Sequence, residues 1–239
     1  MTLWASRLIL FAWPIVILAL ASFRLDLMSF KVPLLAVALG VLLAAIGIVL
    51  LILGLLLGAF KGQATLSSGV AVIYFIAAFI IVAPAIQTIM VGASVPPIHD
   101  ITTDPDDPPI FAHVPSIRKA SDNSLELDAG VIDQQRKAYP DLAALILSQS
   151  KAEAMILVAD TATAMGWEIV RRDEEQGQLE AVAQTMIFGF KDDIIVRIRE
   201  TDGGTRVDVR SASRVGVSDL GANAARIKAY LAALKEAAQ

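Results

Sequence analysis

Residues 66–91 read LSSGVAVIYFIAAFIIVAPAIQTIMV, 26 positions without a single Asp, Glu, Lys or Arg. The charge-free interval is wider still, from Lys61 to Asp100, and another precedes it between Lys31 and Lys61. A hydrocarbon core about 30 Å thick takes ~20 apolar residues as helix, whereas an apolar run of only ~10–14 marks a soluble core helix. Both segments therefore belong in a bilayer. They decide the architecture: an N-terminal membrane module that carries whatever follows it.

Working outward, residues 3–23 form a third apolar segment, interrupted by Arg7 and Pro14. Arg7 ahead of an apolar stretch, with the small residues of Leu18-Ala19-Leu20-Ala21-Ser22 behind it, also fits a secretory signal. The preferred reading is a span, because the length suffices and a mid-segment proline is tolerated where neighbouring helices satisfy the freed carbonyl. The expected spans are 3–23, 33–60 and 66–91. In the second, Ala36, Gly40, Ala44, Gly47, Gly54 and Gly58 recur at three, four or seven residues and stack on one helical face. Residues 54–58 are a GxxxG, a pattern that lets helices approach closely in lipid. The seam suits packing within the three-helix module; self-association through Gly40, Gly47, Gly54 and Gly58 is the sharper alternative. Spans two and three lack the intramembrane charges that a transporter or proton path needs, so the module reads as an anchor.

The first 95 residues carry Arg7, Arg24, Lys31 and Lys61 against Asp26, a net +3, which leaves −7 on residues 96–239 out of the chain's −4. An acidic domain of 144 residues fits one core and argues against nucleic acid, which calls for a basic footprint. Without cysteine there is no disulfide, thiolate zinc site or thiol nucleophile. Orientation follows from loop charges. An N-terminus inside puts Arg7 and Lys61 in the cytoplasm and Arg24 and Lys31 outside, an even count. Nothing basic closely follows the third span to hold that end in, which favours a multi-pass protein of a bacterial inner membrane with a periplasmic soluble domain.

Residues 95–109, rich in Pro and Asp, leave the membrane as an extended linker, irregular until docked. His99, Asp100, Asp104, Asp106 and Asp107 offer hard-metal ligands, but the Gly and terminal Glu of a calcium loop are missing. Residues 96–140 are expected to wrap the surface of an α+β domain over 141–239. Leu142 to Leu147 is a short apolar run read as a strand, and the helix from Ala152 to Met165 gathers Met155, Ile156, Ala159, Ala162 and Met165 on one side. From Trp167 the period becomes two, giving an antiparallel meander of about four strands: 167–170, 179–188, 194–200 and 205–215. With Asp202-Gly203 as a two-residue turn, Arg199 faces Arg206, Arg197 faces Asp208 and Ile195 faces Arg210. Ile194, Val196, Ile198, Val207 and Val209 then share the core face. The other face gathers Arg197, Arg199, Arg206 and Arg210 around Asp208. Four guanidinium groups suit a carboxylate, a phosphate headgroup or an acidic partner. The plain alternative is a face covered by the acidic segments before it and paired internally.

The run from Asp208 to Arg226, DVRSASRVGVSDLGANAAR, together with Pro97-Ile98-His99-Asp100-Ile101-Thr102-Thr103-Asp104, Gly166-Trp167 and Gly189-Phe190-Lys191-Asp192-Asp193, resembles the domain-of-unknown-function family fourteen-ninety-nine over roughly Pro96 to Leu234. Many members are similar in carrying an N-terminal membrane segment. The resemblance implies the domain and no established reaction.

Read physically, Ser218 or Asp219 caps a last helix whose Ile227, Tyr230, Leu231 and Leu234 pack on the sheet, making two packing helices. Arg214 and Arg226 pair with Asp192, Asp193 or Asp219, or else join Ser211, Ser213 and the helix N-terminus in an anion site. No HExxH, GxSxG or glycine-rich phosphate loop is present. The enzyme alternative is a divalent-metal hydrolase on Asp192, Asp193, Asp208 and Asp219; a structural subunit of a membrane assembly is the third reading. The expectation is a membrane-anchored, non-catalytic domain without cofactor or bound metal. Its partners would be the bilayer and an envelope protein or anionic lipid or ligand, met through Arg197, Arg199, Arg206, Arg210, Ser211, Ser213, Arg214 and Arg226.

Overall fold

A computed structural model of the chain describes residues 1–63 and 66–239. It divides into two compact units, residues 1–90 with 187–189, and residues 91–186 with 190–239.

The first unit is built on three long helices, α1 (Thr2–Arg24), α2 (Lys31–Phe60) and α3 (Ser68–Ser94), all apolar and long enough to cross a membrane. Pro14 lies inside α1 and Pro84 inside α3. The small-residue seam of α2 is turned to α1. A Cβ on Gly47 would sit 2.6 Å from Ile9 Cγ1, one on Gly54 would sit 2.7 Å from Thr2 Cγ2, and one on Gly40 would strike Val16. Gly58 is buried on the same line. Van der Waals packing between α1 and α2 thus uses the seam within one chain. Ala78 and Ile81 join α3 to the cluster of Ile9, Ala12 and Ala44.

The second unit is an antiparallel sheet with helices. Its strands are β1 (Asp100–Thr102), β2 (Leu145–Leu147), β3 (Glu168–Asp173), β4 (Gln178–Gln184), β5 (Lys191–Thr201) and β6 (Gly204–Ser213). The order is β1-β6-β5-β4-β3, with β2 also on β6. The expected meander is β3 to β6. To it are added two three-residue strands lying end to end along β6, β1 opposite Arg210–Ala212 and β2 opposite Thr205–Val207. The register of β5 and β6 is the one the Asp-Gly turn implies, with Arg199 opposite Arg206, Arg197 opposite Asp208 and Ile195 opposite Arg210.

Period-two alternation sends Ile194, Val196, Ile198, Val207 and Val209 to one face, where α6 (Lys151–Ala164) and α7 (Ala222–Ala237) cover them. Ser150 and Glu153 form a reciprocal capping box that starts α6. Its buried stripe is Ala154, Met155, Val158, Ala159 and Ala162; Ile156, expected on that side, is half exposed because Val158 takes the sheet-facing angle instead. Trp167 stacks on Tyr230 with ring centroids 4.7 Å apart. The opposite sheet face is covered by residues 103–127, including the single turn α4 (Val114–Ile117). There Phe111 and Val114 pack on Ile195 and Ala212. The polar stretch after Phe111 also yields α5 (Ala129–Ala138), whose Gln135 bonds both Thr102 N–H and Thr102 C=O.

The β5–β6 turn separates two adjacent glycines cleanly. Gly204 has φ +124°, and a Cβ there would run into the Leu147 carbonyl oxygen, whereas Gly203 has open space around it. Gly204→Ala should destabilise the sheet unit by about 2 kcal/mol, from a conformation L side chains rarely adopt plus displacement of β2. Gly203→Ala should change stability by well under about 0.5 kcal/mol. Thermal unfolding of the two variants measures the difference.

Candidate functional site

The candidate residues of β5 and β6 occupy both faces of the sheet, and each is held by a partner from elsewhere in the chain. On the face away from α6 and α7, Asp208 is fully buried at the centre of three arginines. Arg206 donates to it through Nε and Nη2 at 2.9–3.2 Å, Arg199 at 3.0 Å and Arg197 at 3.3 Å. The linker completes the cluster. Asp104 accepts from Arg197, Arg199 and Arg206 at 3.0–3.3 Å, and Asp107 accepts from Arg199 at 2.6 Å. Thr103 donates its hydroxyl to Asp208 at 3.3 Å. The Pro/Asp-rich linker is therefore a docked strap whose carboxylates neutralise the arginine face.

The same logic runs along the strap. Arg210, only 3 % exposed, makes a two-point pair with Asp100 at 2.8 and 3.0 Å and donates to the Pro109 and Leu125 carbonyls. Its guanidinium also lies over the Phe111 ring. Arg214 makes a two-point pair with the fully buried Asp193, which Arg118 joins. Arg118 and Asn123 reach back to the strap and the β6 end, Asn123 donating to the Ser213 and Gly216 carbonyls. Glu180, completely buried on β4, accepts from the N–H groups of Ala112, His113 and Val114 at 2.7–3.0 Å. A carboxylate there satisfies the orphan donors that open α4.

On the helix-covered face, Asp192 pairs with Arg226, whose guanidinium also reaches Ser211 at 3.1 Å and Asn223. Asn223 is fully buried and bridges Ser211, Ser213 and the His99 carbonyl. The N-terminus of α7 is capped from within. Asp219 accepts from Gly221 N–H and Asn223 N–H at 2.8 Å each, the capping expected of that residue. Of the residues read as a candidate anion site, Ser211, Arg226 and the N–H groups of Gly221 and Asn223 donate to the chain's own oxygens, while the Ser213 hydroxyl accepts from Asn223.

The four aspartates read as a metal set do not converge. Asp192 faces α7, Asp193 and Asp208 lie on the opposite face, and Asp219 sits beyond the sheet at the helix start. Each is taken by a different cation or by backbone N–H groups. Asp100, Asp104 and Asp107 are likewise paired, and Asp106 pairs with Arg136. Among the described residues no three His, Asp or Glu side chains are grouped to hold a metal ion. Electrostatics follow the pairing. Burial works hardest against ionisation of Asp208, but the hydrogen bonds and charge of Arg206, with Arg197, together outweigh it and hold the carboxyl below its ordinary value. Hydrogen bonding from Arg199, then the charge of Arg197, does the same for Asp107. Asp219 moves the other way: burial raises it, more than its two backbone hydrogen bonds lower it.

Among the described residues, an open surface cleft of about 380 Å³ lies over the helix-covered face, bounded by Met165, Trp167, Gln184 and Arg226. It exists because Gly166, Ala183, Ala222, Ala225 and Ala229 leave the space between α7, the end of β4 and Trp167 unfilled. Its volume lies within the usual range for ligand sites, roughly 300–1,000 Å³. Alanines three and four residues apart on α7 were the available sequence signal.

Comparison with known families finds a match over residues 100–234 to the family described as "Protein of unknown function (DUF1499)". The matched stretch begins at the first residue of β1 and ends in α7, so it takes in the whole sheet and both networks. No curated protein matches the chain.

Asp208→Ala should cost about 1.5–3 kcal/mol, because it removes the central acceptor of three partly buried arginines that keep only Asp104 and Asp107 as counter-charges. Because the folded-state values of Asp107 and Asp208 lie below that of an ordinary aspartate, their contribution is complete above the ordinary value and is lost as pH falls through their folded values. Asp219, raised, contributes in the opposite sense, losing stability as pH rises through its folded value. Acid unfolding of the full chain in detergent should begin below about pH 4 and be shallower in Asp208→Asn. Circular dichroism against pH checks both.

Proposed function

The chain belongs to the DUF1499 family of proteins of unknown function, and on that footing we propose that it is a membrane-anchored binding module that meets an envelope partner through the cleft between α7 and Trp167. The observation carrying this reading is that Arg197, Arg199, Arg206, Arg210, Arg214 and Arg226 are occupied by carboxylates of the same chain, while the cleft is open. The arginines then act in fold and positioning, and recognition shifts to a recess of mixed polarity, with alanines and Trp167 beside Gln184 and Arg226 in its wall. A side chain or short segment of a partner protein fits such a recess. The carboxylates that a metal-dependent hydrolase would recruit are held apart by arginines and, for Asp219, by backbone N–H groups, which makes that the weaker reading.

In this proposal the sheet unit stands on the periplasmic side of a bacterial inner membrane. Loop charge supports it: after Lys61 no Lys or Arg occurs before Arg118, so nothing basic near the end of α3 retains that end in the cytoplasm. A reporter fused after Gln239 should be active only in its periplasm-dependent form; a cytoplasmic signal overturns the orientation.

The binding reading is tested by a photo-crosslinking residue at Ala225, exposed in the cleft wall, in native membranes. A discrete adduct is expected, and none when the crosslinker stands at the exposed Glu174. Ala229→Trp, which fills the cleft, should abolish it. No adduct, or one indifferent to Ala229→Trp, sinks the proposal.

A further inference from the structure

The two ends of the sheet unit differ in chemistry. At one end lie the β3–β4 and β5–β6 turns, which expose Glu174, Glu175, Glu200 and Asp202. At the other end the chain enters β1, β4 hands over to β5, and β6 hands over to α7. Register places them together: Asp100 is opposite Ala212, Asp192 opposite Ser213, and Gln184 opposite Lys191. This second end exposes apolar side chains, Met186 at 90 % and Val217 at 77 %, with Leu220 on its edge and Lys191 exposed beside them.

The apolar end also adjoins the exit from the third span. The last turn of α3, from Val91, belongs to the sheet unit. A Cβ on Gly92 would sit 3.1 Å from Leu220 Cδ2, and one on Gly221 would sit 3.4 Å from Val95 Cγ1. The loop from β6 to α7 therefore packs on the chain where it leaves the helix. Leu220 holds φ +56°, a strained conformation for a bulky residue, and is followed by Gly221 at φ +80°. At 27 residues α3 is about 40 Å long, some 10 Å more than a hydrocarbon core, which brings its last turns to the headgroup layer.

We propose that this end of the sheet unit docks on the lipid surface, with Met186 and Val217 inserted at the headgroup and acyl boundary and Lys191 facing lipid phosphates. The occupant is lipid because the span's own exit packs on Leu220 and Gly221, at the same end of the sheet, and its length puts that exit at the interface. Exposed apolar tips flanked by a cation are the chemistry that partitions there. The acidic opposite end points away from the phosphates. Docking in this way holds the domain in one pose above the bilayer, independently of whether the cleft binds a partner.

The chain has no cysteine, so single labels report single sites. Met186→Cys, Val217→Cys and, at the far end, Asp202→Cys are each labelled with an environment-sensitive fluorophore. The full chain is then reconstituted alone in phosphatidylcholine nanodiscs, with or without lipids bearing a quencher near the headgroup. Labels at 186 and 217 should be blue-shifted and quenched severalfold more than the label at 202. Replacing part of the lipid with an anionic species should deepen the quenching, and Lys191→Gln should remove that increment while leaving the basal quenching. Quenching at 186 and 217 no stronger than at 202 overturns the proposal, as does burial that appears only when a membrane-protein extract is added, since the occupant is then a protein.

Discussion

A buried charge has to be matched where it stands, and Asp208 imposes that constraint on the whole sheet unit. With its carboxylate removed from water, three arginines must approach it, and three arginines around one aspartate leave a surplus of positive charge. Asp104 and Asp107 supply the remainder, and both lie on the strap. Electrostatic matching therefore draws a proline-rich segment with no repeating apolar pattern onto a strand pair about one hundred residues later in the chain. The strap then brings Phe111 and Val114 over Ile195 and Ala212, so a second small core forms under what would otherwise be a solvated face. Glu180 fixes the far side of the same strap through three backbone donors.

Such networks are costly to form and more costly to leave half-made. Here nearly every charged member has at least two partners, and several pairs are two-point, the geometry in which a guanidinium fork best repays its desolvation. The consequence is specificity of arrangement more than raw stability. A one-residue slip of β6 against β5 would send Asp208 into the apolar layer and Val207 and Val209 among the arginines. Register, strap position and the neutrality of the arginine face are thus three expressions of one constraint.

That also explains what could be read from the residues alone. The spans were legible because charge-free length is a local property. The β5–β6 register was legible because Asp202-Gly203 sets a turn and the alternation of apolar and charged residues fixes the faces. The arginines were legible as a cluster and their internal pairing was one of the two readings, but the identity of their partners depends on contacts across about ninety to one hundred residues. β1 escaped because three residues beside prolines carry no period. Glu180 escaped because a Glu on an outward strand position looks solvated; only the later arrival of Ala112 to Val114 buries it. The cleft escaped because a gap is made by side chains that are missing, and alanine on a helix is ordinarily just a good helix former.

The membrane and sheet units meet the same low-dielectric problem with opposite means. The helices remove polar groups and let glycine bring backbones close, so α1 and α2 are held by shape, with Gly47 against Ile9 and Gly54 against Thr2. The sheet unit keeps its charges and closes them on one another. The guanidinium groups of β5 and β6 are paired with the unit's own carboxylates, whereas small and apolar side chains stay exposed at Ala225 and Ala229 in the cleft wall and at Met186 and Val217. Both features belong to the end of the sheet nearest the exit of α3.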